Sequence, residues 1–159
     1  MADPIAADEA RLCALIEQRR CLPGALLPIL HAVQEAFGYI DDKHVGTIAS
    51  ALNLSRAEVH GVVTFYHDFR REPPGRHILQ LCRAESCQSM GCENLAEGLR
   101  RRLGIGFGET TADGRLTLQS VYCRGNCALS PAGVLDGKLH GRLDERRLEA
   151  LLQTAEAAP

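Results

Sequence analysis

Four cysteines, Cys82, Cys87, Cys123 and Cys127, have the residue type and spacing to do chemistry. They fall as a C-x4-C pair and a C-x3-C pair, separated by the 35 residues from 88 to 122. Two close pairs brought together by folding make a four-thiolate site. Such a site holds either a tetrahedral zinc or an iron–sulfur cluster. Zinc would make it a structural staple in an interaction module. Iron and sulfide would make it an electron carrier.

Spacing bears on that choice. Structural zinc sites favour C-x2-C turns, although up to four intervening residues occur, and neither pair here is C-x2-C. A two-iron cluster needs two thiolates on each iron, with sulfides bridging the metals. Two wider loops, one for each iron, suit that larger object. Gly125, inside Cys123-Arg124-Gly125-Asn126-Cys127, lets backbone approach a sulfur and donate N–H bonds to it. Arg83 and Arg124 each follow the first cysteine of a pair. A guanidinium there would favour the reduced, more negative state of a cluster; the plain alternative is that both arginines are simply exposed. Spacing by itself leaves both metals open.

The other cysteines are read differently. Cys92 repeats the C-x4-C spacing with Cys87. It is taken as a non-ligand, because it falls at a helix start whereas Cys82 and the second pair stand at strand ends. Cys13 borders the apolar stripe of the first helix and Cys21 lies near that helix's end, so both are read as packing or incidental thiols. None of the six histidines lies in either cysteine loop, which argues against a Rieske centre. No Ser/His/Asp or Cys/His catalytic set stands out, and no G-x-G-x-x-G or Walker motif is present, so no nucleotide site is expected on this chain. Gly104 to Gly108 is glycine-rich but follows a helix, and reads as a loop. The lack of C-x-x-C argues against a thiol-disulfide oxidoreductase.

Composition narrows the class. The chain has 159 residues, enough for one domain or a small pair, and 45% of them are hydrophobic, enough for a core without covalent help. The net charge is -2 and no basic patch stands out, which argues against a nucleic-acid partner. Lysine occurs only at Lys43 and Lys138. The excess of arginine is read mostly as compositional bias. The start, MADPIAADEARL, lacks an apolar segment of signal type. No apolar run approaches the roughly 20 residues that span a bilayer. The expectation is a soluble, cytoplasmic protein that does not enter a membrane. In that reducing compartment seven cysteines are better metal ligands plus spare thiols than a disulfide framework.

The elements that must position the cysteines follow from periodicity. Leu12, Leu15 and Ile16 mark one apolar helical stripe. Leu26, Ile29, Leu30, Val33 and Phe37 mark a second, closed by Gly38. Val45, Ile48, Ala49 and Leu52 mark a third, and Val59, Val62, Val63 and Tyr66 a fourth, opened by a Ser55/Glu58 capping box. Pro73, Pro74 and Gly75 then break the pattern, so residues 1–72 are expected as a helical bundle and 73–159 as a second domain. In the second domain His77 to Leu81 reads as a strand running into Cys82, and 93–103 as a helix. Leu116 to Val121 reads as a strand ending at Cys123. Asp136-Gly137 signals a two-residue hairpin, and Asp144 caps a last helix. The fold class is α+β: a helical bundle followed by a β-α-β-β-β-α layer.

The motif C-x4-C-x35-C-x3-C with Pro131 shortly after the last cysteine resembles the thioredoxin-like [2Fe–2S] ferredoxin family. That family includes the small two-iron subunit of respiratory complex I and its relatives in NAD-linked hydrogenases and formate dehydrogenases. Leu27 to Ile40 and Gly61 to Tyr66 resemble the family's helical segments, and matches extend over roughly residues 22 to 152. The resemblance implies a thioredoxin-like second domain and one [2Fe–2S] cluster on Cys82, Cys87, Cys123 and Cys127, with no ligand role for Cys92. Cys82-Arg83-Ala84-Glu85-Ser86-Cys87-Gln88-Ser89-Met90-Gly91 is similar to the gamma subunit of soluble, molybdenum-containing, NAD-dependent formate dehydrogenases. The implied role is electron transfer without a catalytic site of its own. The implied direct partner is a flavin- and NAD-binding iron–sulfur subunit carrying FMN. A molybdenum-cofactor subunit that oxidises formate is expected in the same complex.

Overall fold

Ser55 and Glu58 show how locally the first helices are specified. The Ser55 hydroxyl accepts the Glu58 N–H, and the Glu58 carboxylate accepts the Ser55 N–H at 2.8 Å. The box satisfies two amides that a helix start would otherwise leave unpaired. The computed structural model describes residues 4–157, with side chains over 7–155. The chain divides into two compact units, Met1–Pro73 and Pro74–Pro159.

The first unit holds α1 (Pro4–Glu17), α2 (Leu26–Phe37), α3 (Asp42–Leu52) and α4 (Arg56–Phe65). Each buries the stripe that its periodicity marks: Leu12 and Ile16 on α1, Ile29 and Val33 on α2, Ile48 on α3, Val59 and Val63 on α4. Burying one such aliphatic side chain contributes about 1.5–3 kcal/mol. Tyr66 departs from expectation. It lies one residue beyond α4 as its C-cap, in extended backbone, and is 43% exposed. The next segment returns to α2, where the Gln34 side-chain amide donates to Asp68 O and its carbonyl accepts the Arg70 N–H.

The second unit holds β1 (His77–Cys82), α5 (Glu85–Ser89), α6 (Cys92–Leu103), β2 (Leu116–Val121), a 3-10 turn (Cys127–Leu129), β3 (Gly133–Leu135), β4 (Lys138–His140) and α7 (Glu145–Ala157). The sheet order is β2-β1-β3-β4. β1 runs parallel to β2 and antiparallel to β3, and β3 runs antiparallel to β4. Leu79, Leu81 and Leu118 are fully buried and pack with Leu95 and Leu99 of α6 and Leu148 and Leu152 of α7. Asp136 and Gly137 both take positive φ, 49° and 81°, as the tight hairpin between β3 and β4 requires. The Asp144 carboxylate accepts the Arg147 N–H at 2.7 Å and caps α7. The mixed α+β layout is the one expected; the five-residue helix α5 is an addition to it.

Candidate metal centre

Parallel pairing of β1 and β2 decides where the cysteines go. Cys82, the last residue of β1, stands opposite Val121, the last residue of β2. Two parallel neighbours end on the same side of a sheet, so the loops that follow open side by side. The expectation that Cys82 lies just past its strand shifts by one residue. Its N–H still pairs, with Ala132 O at 2.9 Å.

The first loop is a short helical hook. Arg83 N–H bonds Val121 O at 2.8 Å, and Ala84, in extended backbone, opens α5. Cys87 therefore sits inside a helix rather than in an open loop, with its N–H on Ala84 O. Gly91, at φ 85°, turns the chain directly into α6, whose first residue is Cys92. The second loop is built on strained backbone. Cys123 has φ 72°, in a region that side chains other than glycine's seldom occupy. Gly125 follows at φ 75° and sends its N–H to Cys123 Sγ at 3.4 Å. Cys127 begins the 3-10 turn, with its Sγ 3.7 Å from that of Cys123.

All four candidate thiols thus meet at one end of the sheet, as two pairs of unequal exposure. Cys82 and Cys87 are buried, at 4% and 2%; Cys123 and Cys127 are exposed. Burial works to raise the Cys82 pKa. The opposing donors outweigh it: the Ala84 amide, the Cys87 thiol, and the amides of Cys123 and Arg124, so the net shift is downward. Three backbone N–H groups from both loops therefore converge on one sulfur. The Cys127 thiol is shifted upward, first by its bond with Cys123, then by the charge of Cys123, by burial, and by the charges of Cys87 and Cys82.

This donor set fits an iron–sulfur cluster. The thiols stand as a pair on each loop, the division that two irons require, and amides aimed at sulfur would offset the negative charge such a cluster carries.

Cys92 lies behind the first pair. It is fully buried beside Cys82, Cys87, Val121 and Ala132, and burial pushes its thiol up to about 11, with the charges of Glu93, Cys87 and Cys82 adding to the effect. At that value the thiol is protonated near physiological pH. Cys13 and Cys21 are exposed and belong to the first unit, so they are not packing residues. The arginines are not simply exposed either. Arg83 holds Glu93 through two bonds of 2.9 and 2.8 Å and lies 4.9 Å over the Phe107 ring; Arg124 donates to Gln80 Oε1 at 2.7 Å. His31 and His60 are surface residues of the first unit. His77 pairs with Asp136 at the start of β1, the end away from Cys82.

Sequence reasoning passed over two hydroxyls. Ser86 and Ser130 meet at 2.8 Å between the loops, and Ser130 Oγ lies 3.6 Å from Cys87 Sγ. They are 44 residues apart, so no spacing rule links them; their only signal is a small hydroxyl residue close to a cysteine in each loop.

Residues 12–156 match the family model for the thioredoxin-like [2Fe-2S] ferredoxin. This chain belongs to that family. Among relatives of this ferredoxin-family chain, the E subunit of the NADH-quinone oxidoreductase of Pseudomonas aeruginosa is 38% identical over 129 residues, covering 81% of this chain and 78% of that protein. The E 2 subunit of the same enzyme from Rhizobium meliloti is 40% identical over 134 residues, covering 84% and 80%. The crystal structure of an NAD+-reducing [NiFe]-hydrogenase in its air-oxidized state matches with a TM-score of 0.72 and 30% identity. That match covers 89% of this chain but only 24% of the hydrogenase chain, so the ferredoxin-family chain spans about a quarter of that polypeptide. No helix among the described residues is long and apolar enough to cross a membrane.

Proposed function

We propose that this chain holds one [2Fe–2S] cluster on Cys82, Cys87, Cys123 and Cys127 and transfers single electrons within an NAD-dependent formate dehydrogenase of the cytoplasm. The observation that carries the ligand assignment is the parallel pairing of β1 with β2, which brings both thiol pairs and three sulfur-directed amides to one end of the sheet. Family membership supports iron over zinc.

A lone cluster moves one electron at a time, whereas nicotinamide accepts a hydride, so a flavin must divide the pair. The direct partner is therefore an FMN-bearing, NAD-binding iron–sulfur subunit. The filling of the first loop, Arg83-Ala84-Glu85-Ser86 followed by Gln88, Met90 and Gly91, supports a formate dehydrogenase with a molybdenum cofactor on a further subunit. In that complex this chain carries or buffers electrons beside the flavin and catalyses nothing alone. A second reading, the equivalent subunit of an NADH-quinone oxidoreductase or an NAD-reducing hydrogenase, is favoured by the names of the relatives.

Purification of the chain with its native partners, followed by assay of formate-dependent NAD reduction, separates the readings. Molybdenum, FMN and formate activity in the complex are expected. Nickel, or quinone reductase activity without molybdenum, would establish the second reading instead. Colourless protein holding one zinc per chain would sink both.

A further inference from the structure

Ser130 occupies an unusual place between the two cysteine loops. Its hydroxyl is buried, 3.6 Å from Cys87 Sγ, 2.8 Å from Cys127 O and 2.8 Å from Ser86 Oγ. The Cys127 carbonyl is oversupplied. The Ser130 N–H reaches it at 3.3 Å, the Ser130 hydroxyl at 2.8 Å and the Ser86 hydroxyl at 3.3 Å. A carbonyl oxygen has two lone pairs, and the Ser130 N–H with the Ser86 hydroxyl can fill both, which frees the Ser130 hydroxyl proton.

We propose that Ser130 gives that proton to Cys87 Sγ and so sets the reduction potential of the centre, an inference that rests on Cys87 being a cluster ligand. As a thiol, Cys87 donates to Ser130 Oγ. As a metal-bound thiolate it has no proton and becomes an acceptor. The Ser130 hydroxyl then turns towards the sulfur, because a bond to a charged acceptor is the stronger one. Ser86, already within reach of the Cys127 carbonyl, takes the position that Ser130 leaves. No covalent bond changes; one hydroxyl hydrogen rotates from oxygen to sulfur. A hydrogen bond to a ligand sulfur is worth more after reduction, when the centre is more negative, so it raises the potential. Ser130 is thus a positioning residue for charge.

The test uses the full chain with its cluster, examined by EPR-monitored redox titration and by deuteron hyperfine spectroscopy in D2O. Ser130→Ala is expected to keep two irons per chain, to lower the reduction equilibrium constant about tenfold (roughly 59 mV for one electron), and to lose one exchangeable deuteron coupled to the cluster. Ser130→Thr keeps the hydroxyl and should keep both signals. Ser86→Ala should lower the potential in the same direction, since without the Ser86 hydroxyl the Cys127 carbonyl competes with the sulfur for the Ser130 proton. An intact cluster with unchanged potential and deuteron coupling in Ser130→Ala overturns the proposal and leaves the ligand reading standing. An unchanged cluster in Cys87→Ala strikes the ligand reading itself. Should Ser130→Ala fail to hold iron, the other two variants decide. A fall in Ser86→Ala with none in Ser130→Thr supports the proposal, and any other combination overturns it.

Discussion

Arg83 holds Glu93 by two parallel N–H···O bonds, 2.9 and 2.8 Å long, tying the residue after the first candidate ligand to the first turn of α6. A bidentate guanidinium–carboxylate pair of this kind fixes orientation as well as charge. The Arg83 side chain is further held over Phe107.

The pair makes stability depend on pH in a stated direction. Arg83 holds the Glu93 carboxyl below its ordinary value of 4.5, chiefly through their hydrogen bonds. A carboxylate whose pKa is lowered on folding stabilises the fold above its unfolded pKa, and the contribution is lost as pH falls through the folded one. The melting temperature of Glu93→Gln should therefore lie below that of the native chain at neutral pH. The gap should close as pH drops below about 4, as thermal unfolding across that range will show. Added salt should narrow the gap at neutral pH.

Ligand and non-ligand cysteines should separate cleanly. Cys82→Ser, Cys87→Ser, Cys123→Ser and Cys127→Ser are each expected to lose the cluster or to hold it weakly. Cys92→Ala should retain two irons per chain while losing about 1 kcal/mol of stability from the small void it leaves. Iron analysis with EPR checks both halves, and a normal signal from Cys82→Ser would refute the assignment.

Unequal burial of the thiols predicts an order of reaction. In the cluster-free chain, Cys13, Cys21 and Cys123 should be alkylated first by iodoacetamide, being exposed, with Cys127, exposed but shifted upward, behind them. Cys92 should react last, being both fully buried and shifted up to about 11, because the thiolate is the nucleophile. Peptide mass spectrometry over a time course reads the order directly.

Gly141 supports the second loop by having no side chain. A Cβ there would meet Leu129 Cβ at 2.6 Å and Asn126 Nδ2 at 2.7 Å. Gly141→Ala must push the segment between Asn126 and Leu129 outward, at a cost of about 1–3 kcal/mol. Cluster loss on mild oxidation should then be faster than in the native chain, with the far-ultraviolet circular dichroism unchanged.

Much of this architecture was legible because its determinants are local. Ser55 with Glu58, Asp136 with Gly137, and the 3.6-residue stripes on α1 to α4 announce themselves within a few positions. Tyr66 was misplaced because its spacing continues the stripe of α4, while the helix stops at Phe65. The helix α5 escaped because five residues are too few to show a period. At the site, cysteine spacing brought the four thiols into view. Their unequal burial did not follow from spacing, since it depends on Val121 and Ala132 packing against one pair only. The partners of Arg83 and Ser130 are set by the fold, ten and 44 positions away in the chain, where no local rule reaches.

One more consequence follows from the place of β1 between β2 and β3. A strand bonded on both sides exchanges its amide hydrogens only when the whole unit opens, whereas a surface turn such as Cys127–Leu129 opens by itself at much lower cost. Cys82 is anchored in the slow part of the molecule and Cys127 in the fast part. With Cys82 and Cys127 as ligands, a cluster would be held more firmly from the sheet than from the turn, and metal is expected to enter or leave through the second loop while the sheet stays intact.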